Sequence, residues 1–219
     1  CKLVAIASRS SSKANNLHDQ HVKDRSIDVQ IISGDDAYDR LIELDDVEAI
    51  AIAGQQHGMV AIDAQGEVIR KALLWNDTRS AKEAEDLNRE VGGDQVIARK
   101  VGSKLVASFT ASKVRWMADH EPQNASRVAS IALPHDWLSW QLQGGKDLTK
   151  LFTDRSDASG TGYFDPSTSH YRDEIVRLAL RHDQNFTLPR IIEPSQFGGT
   201  TLSGIPIAAG AGDNAGAAL

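Results

Sequence analysis

The stretch that most constrains the fold is the last one, Ile205-Pro-Ile-Ala-Ala-Gly-Ala-Gly-Asp-Asn-Ala-Gly216 and the three residues after it. Isoleucines at alternate positions mark a strand, and the run then breaks into Gly210, Gly212 and Gly216 around Asp213 and Asn214. Glycine lets backbone approach whatever lies over a strand end. A carboxylate at that position sits at the mouth of a sheet, where open α/β folds keep their ligands. Asp213 is therefore the first candidate for chemistry. A turn former or helix N-cap is the plainer role for the same residue. Gly210-x-Gly212-x-x-x-Gly216 does not match the dinucleotide fingerprint, and no βαβ unit follows it.

Upstream, short β-rich runs alternate with helical patterns, which makes the chain α/β. Residues 1–7 and 29–32 read as strands, and 37–44 as a helical turn or two. The rest of 8–46 shows no sustained period. His18-x-x-His21 has a spacing metals use but no third ligand nearby, so a solvated loop is the expectation there. Residues 47–53 are nearly all apolar and read as a buried strand. Gly54-Gln-Gln-His-Gly58 interrupts, and residues 59–62 and 67–74 continue as strands, giving an antiparallel meander feeding a mixed sheet. Ser80-x-x-Glu83 reads as a capping box opening a helix that ends at Gly92-Gly93. Further helices are expected over 111–120 with Thr110 as cap, over 136–142 and over 173–182. A strand is expected over 128–133, stopped by Pro134.

Composition excludes several classes. The formal charge is −6, from 24 basic and 30 acidic residues with no dense basic run, so nucleic acid and anionic membranes are poor partners. No apolar stretch approaches the roughly 20 residues a membrane helix needs. The single cysteine, Cys1, has no internal partner, which fits a reducing, cytoplasmic setting. The chain opens on a strand without Met and closes where a helix should start, so it reads as a piece of a longer protein.

Six islands recur in one order: Gly54-Gln-Gln-His-Gly58, Leu74-Trp-Asn-Asp-Thr-Arg79, Phe109-Thr-Ala-Ser-Lys113, Leu133-Pro-His-Asp-Trp137, Ser156-Asp-Ala-Ser-Gly-Thr161 and Gly210-Ala-Gly-Asp-Asn214. Together they resemble the FGGY carbohydrate kinases, over about residues 45–219. The resemblance implies the actin-like, ribonuclease-H-like ATPase fold, in which two domains clasp sugar and ATP. Residues 1–211 would then be the N-terminal, sugar-binding domain, with 1–44 poorly matched. Residues 212–219 would begin the ATP-binding domain.

The same resemblance implies ATP-dependent phosphorylation of a small sugar, a ketopentose in the first place, with gluconate or glycerol as alternatives. Mg²⁺ would arrive with the nucleotide. It assigns Asp213 as catalytic base and His57 and Gln56 as sugar contacts; Asn214, next to the base, could hydrogen-bond the same sugar. Trp75 could pack on a sugar face while Asp77 or Arg79 binds hydroxyls. Equally, Trp75 could be core and Asp77 and Arg79 could start the helix. Asp157 is read as a turn former, and Trp116, Trp137 and Trp140 as core or interface. The Asp-x-Gly-Thr hairpin that meets ATP phosphates in the family has no match here, nor has the tryptophan-bearing helix before Asp45. No cofactor or metal ligands are therefore expected within this stretch. A non-catalytic sugar-binding module is the reading from another class, and a homodimer is left open.

Overall fold

A computed structural model describes residues 5–8, 10–21, 30–37, 40, 44 and 47–217. The chain divides into two compact units, residues 1–50 and 51–219. In the first, β1 (Ala5–Ser8) pairs in parallel with β2 (Gln30–Ser33), and α1 (Ser11–His21) packs on both. The expected loop around His18 and His21 is thus a helix. Its sequence is polar nearly all round, with Ala14 and Leu17 the apolar residues, so no stripe announces it. The side chains of His18 and His21 lie outside the described residues, and so do residues 1–4 and most of 38–46.

In the second unit, β3 (Ala53–Gly54) pairs in parallel with β12 (Ala211–Gly212), Gly54 opposite Gly212. Residues 47–53, expected as a buried strand, are exposed or half-buried, and of them only Ala53 lies in β3. Apolar composition supplied the expectation, but burial needs covering layers, which composition does not specify.

β4 (Val60–Ile62) pairs antiparallel with β5 (Ser130–Ala132), and both are fully buried. The expected third strand over 67–74 reduces to bridges from Val68 to Ile62 and from Leu73 to Met59. This is the meander in loosened form. β6 (Phe152–Asp154) runs parallel to β9 (Arg190–Ile192). β7 (Phe164–Asp165) with β8 (His170–Tyr171), and β10 (Phe197–Thr200) with β11 (Pro206–Ala208), are antiparallel.

The helices are α2 (Ala81–Glu90), α3 (Asp94–Val101), α4 (Thr110–His120), α5 (Pro122–Ala125), α6 (Pro134–Leu142), α7 (Arg155–Ala158), α8 (Asp173–Leu180) and α9 (Asp213–Ala217). The main core gathers Leu87, Ile97, Val114, Met117, Ile131 and Ile175 between α2, α3, α4, α8 and β5. A second cluster places Trp140 against Val60, Ile62 and Ala132, with Trp137 beside it.

Two caps differ from expectation. Ser80 stands at the N-cap of α2, but its hydroxyl donates to Ala107 O at 2.8 Å, and Glu83 faces His120 Nε2 at 2.9 Å. Thr110 lies inside α4, donating to His57 O at 3.2 Å. In both places a tertiary acceptor outcompetes the helix's own end. No helix among the described residues is long and apolar enough to cross a membrane.

Candidate functional site

Parallel, in-register pairing sends two chain segments off the same end of a sheet. After Gly54 comes Gln55-Gln56-His57, and after Gly212 comes Asp213. Asp213 is exposed at the first residue of α9, and its Oδ1 accepts from Asn214 N at 2.9 Å. Asn214 is likewise exposed. The helix-start role and an open carboxylate thus coexist in one residue.

His57 is half-buried and adopts φ 68°, a conformation costly to a residue with a β-carbon. Its Nδ1 lies 2.7 Å from Gly160 O. A carbonyl only accepts, so Nδ1 carries a proton, and the neutral ring presents its lone pair at Nε2. The Phe109 ring supports the imidazole, with centroids 5.0 Å apart. Gln56 Nε2 donates to Ser156 O at 2.8 Å, leaving Oε1 as an acceptor. Ser156 Oγ in turn accepts from Gly212 N at 3.3 Å. Gly160 and Gly212 are close-approach positions: a β-carbon would come within 2.7 Å of His57 Nδ1 at the first and 2.6 Å of Gln56 at the second.

The Trp75 cluster stands differently. Trp75 is 55% exposed, which removes it from the core, and no described contact joins it to His57 or Asp213. Asp77 accepts from Arg79 N at 3.1 Å and Arg79 Nε at 2.9 Å. Burial raises its carboxyl, but the Arg79 contacts and Lys113 outweigh that and hold it below the usual range. Arg79 stacks over Trp116 at 4.8 Å. A thread nonetheless runs from Asp77 to His57. Lys113, fully buried on α4, feels the charge of Asp77 and donates to Ala107 O at 3.3 Å and to Ser108 O. Phe109, next in the chain, carries His57.

The largest difference from expectation lies underneath. Asp157 opens the expected turn, its carbonyl accepting from Gly160 N at 3.0 Å, but its side chain is 0% exposed, with His135, Asp136 and Asp154 at 2, 1 and 5%. His135 Nε2 lies 2.9 Å from Asp154 Oδ2 and Nδ1 3.1 Å from Asp136 Oδ1, with Asp157 Oδ2 also in contact with Nδ1. Burial opposes a charge on His135, but the three carboxylates prevail and push it up to about 11. Burial likewise pushes Asp136 up to about 7, and His135 restrains that rise. Asp154 Oδ1 does the capping, accepting from Asp157 N at 3.0 Å, while Asp136 Oδ2 accepts from Leu133 N at 2.9 Å. The signal in the sequence was polar residues at the ends of two buried strands, His135-Asp136 shortly after β5 and Thr153-Asp154 closing β6.

His135, Asp136 and Asp157 have ligand atoms within 4.8 Å of one another, the spacing of a metal site. They do not suit Mg²⁺, which asks for octahedral oxygen ligands and keeps several waters. All three are buried. A cavity of about 810 Å³ lined by Ala81, Asn88, Gly93 and Lys104 contains none of the candidate sugar-site residues.

The architecture is α/β, one lobe of the actin-like ATPase type. Residues 10–219 match the model of the N-terminal domain of the FGGY family of carbohydrate kinases. The xylulose kinase of Streptomyces coelicolor is 44% identical over 180 residues, covering 78% of this chain and 36% of that protein. The crystal structure of xylulose kinase from Bifidobacterium adolescentis superposes with TM-score 0.75 at 39% identity, over 82% of this chain and 44% of the other. A gluconate kinase from Lactobacillus acidophilus shares the fold, with TM-score 0.68 at 22% identity over 80% of this chain and 36% of its own. The chain belongs to the FGGY family of carbohydrate kinases. It spans about a third of the length of the curated relatives it matches.

Proposed function

We propose that this chain forms the sugar-binding part of a cytoplasmic kinase that phosphorylates a ketopentose, D-xylulose to xylulose 5-phosphate, with ATP. The observation that supports it is the in-register pairing of β3 with β12, which sends Asp213 and the Gln56–His57 pair off one sheet end. In this reading the sugar hydroxyl oxygen attacks the γ-phosphorus, the bond to the β–γ bridging oxygen breaks, and Asp213 accepts the hydroxyl proton. ADP leaves with the bridging oxygen. Positioning and charge stabilisation supply most of the rate in such transfers, so an exposed carboxylate in line with the hydroxyl is base enough. Mg²⁺ bound to the nucleotide neutralises phosphate charge, and the ATP-binding domain, beginning near residue 212, contributes the rest.

His57 Nε2 accepts a sugar hydroxyl because its other nitrogen is committed to Gly160. Gln56 Oε1 and Asn214 complete the polar contacts, and the exposed Trp75 face and Asp77 border the sugar from the next segment. The shared fold of the gluconate kinase keeps sugar acids as a second reading of the substrate.

Isothermal titration of this chain with D-xylulose, D-gluconate and glycerol tests the proposal. D-xylulose should bind, His57→Ala should abolish the heat, and the chain alone should show no ATP-dependent turnover. Preference for gluconate would move the substrate to the second reading. Silence with all the ligands would end the sugar-site reading.

A further inference from the structure

The proposed sugar contacts are not held by their own strands. Gln56 Nε2 reaches Ser156 O, His57 Nδ1 reaches Gly160 O, and Gly212 N, one residue before Asp213, reaches Ser156 Oγ. All three anchors belong to one short segment, α7 and the turn after it.

That segment is fixed from below. Asp154 and Asp157, at the ends of its first turn, both face His135, which projects from the start of α6 beside Asp136. Each ring nitrogen therefore lies within ion-pair distance of a carboxylate, while Nδ1 and the oxygens Asp136 Oδ1, Asp154 Oδ2 and both of Asp157 make no aligned hydrogen bond. A neutral ring would set a lone pair against that buried negative charge, whereas an imidazolium answers it on both sides. Backbone presses on His135 from both strands, β3 against its β-carbon and the residue before β12 against the ring. A β-carbon on Gly54 would lie 2.7 Å from His135 Cβ, and one on Gly210 2.8 Å from its Cδ2. Those two elements bring no charge to the ring, so its charged neighbours are the carboxylates of α6, β6 and α7; the titratable His57 lies beyond Asp157.

We propose that His135, caged as an imidazolium by Asp136, Asp154 and Asp157, is the positioning residue of the Gln56–His57–Asp213 site. Its cation holds residues 155–160 in place, and through them the side chains that meet the sugar. The affinity readout of this inference rests on the sugar site proposed above, whereas its structural readout does not.

Histidine ¹⁵N NMR of the whole chain tests the cage without any variant. Both His135 nitrogens should stay protonated from about pH 6 to about pH 9, far above an ordinary histidine. A neutral or titrating ring overturns the inference. So does a stoichiometric divalent ion that survives chelation with a His135 nitrogen as ligand.

Two variants test the positioning. His135→Gln should weaken D-xylulose binding roughly tenfold and shift the His57 ring signals. His135→Lys, which restores a cation to the cage, should recover binding to within about threefold and return those signals. Equal losses in both variants, or no loss in either, overturn the claim. Should the unaltered chain not bind D-xylulose, the sugar reading falls instead. The His57 signals then decide alone: moved by Gln and restored by Lys supports the cage, unmoved overturns it.

Discussion

Lys113 is a residue whose charge state the fold alters legibly, buried behind Phe109 and His57. Its ammonium is buried, and that desolvation, opposed by Asp77, brings it down to about 8. The carbonyls of Ala107 and Ser108 accept from it whether or not it is charged. An unfolded lysine keeps its proton to about 10.4. Between those values the unfolded chain binds more protons than the folded one, so stability rises with pH across that window. Lys113→Met removes that rise, read as a flatter change in urea midpoint between pH 8 and 9.5. An unchanged slope would show that the side chain is solvated. Asp213 makes the opposite case. It is exposed, so Asp213→Asn should leave the denaturation midpoint where it was, and on the proposed role as base it should lower kcat of the full-length protein by about 10²-fold.

Among elements, the glycine-rich β12 segment carries a sharp contrast. A β-carbon at Gly210 would sit 2.0 Å from Ile52 O, a backbone atom with nowhere to move. A β-carbon at Gly212 meets the side chain of Gln56, which can swing aside. Gly210→Ala should therefore cost more than about 2 kcal/mol by chemical denaturation. Gly212→Ala should fold nearly normally but release Gln56 from Ser156 and weaken sugar binding. Equal destabilisation by both would contradict the arrangement of the strand end. On α2, Asn88 exchanges two 2.9 Å hydrogen bonds with the Leu105 backbone, donating from Nδ2 and accepting at Oδ1. Asn88→Ala leaves both backbone groups unpaired in a buried place, at a cost of about 2 kcal/mol or more, measurable by the same denaturation.

At the scale of the molecule, residues 51–219 contain the large core and every residue of the candidate site. That unit expressed alone should unfold cooperatively, seen as coincident circular dichroism and fluorescence transitions. Non-coincident curves would show that residues 1–50 are needed. The sequence by itself determined the α/β class, the helices over α2, α4, α6 and α8, and the strand end carrying Asp213, because periodicity and glycine placement are local properties of a chain. It also carried the family resemblance, in six short islands. Tertiary structure decided the rest. Ser80 and Thr110, cap residues by pattern, turn their hydroxyls to the backbone of Ala107 and His57. Asp157, a turn residue by pattern, is buried against His135. Trp75, open between core and surface, is exposed. A polar side chain takes whichever partner the packed chain brings within reach, and residues 100 positions apart, such as Gln56 and Ser156, meet only after folding.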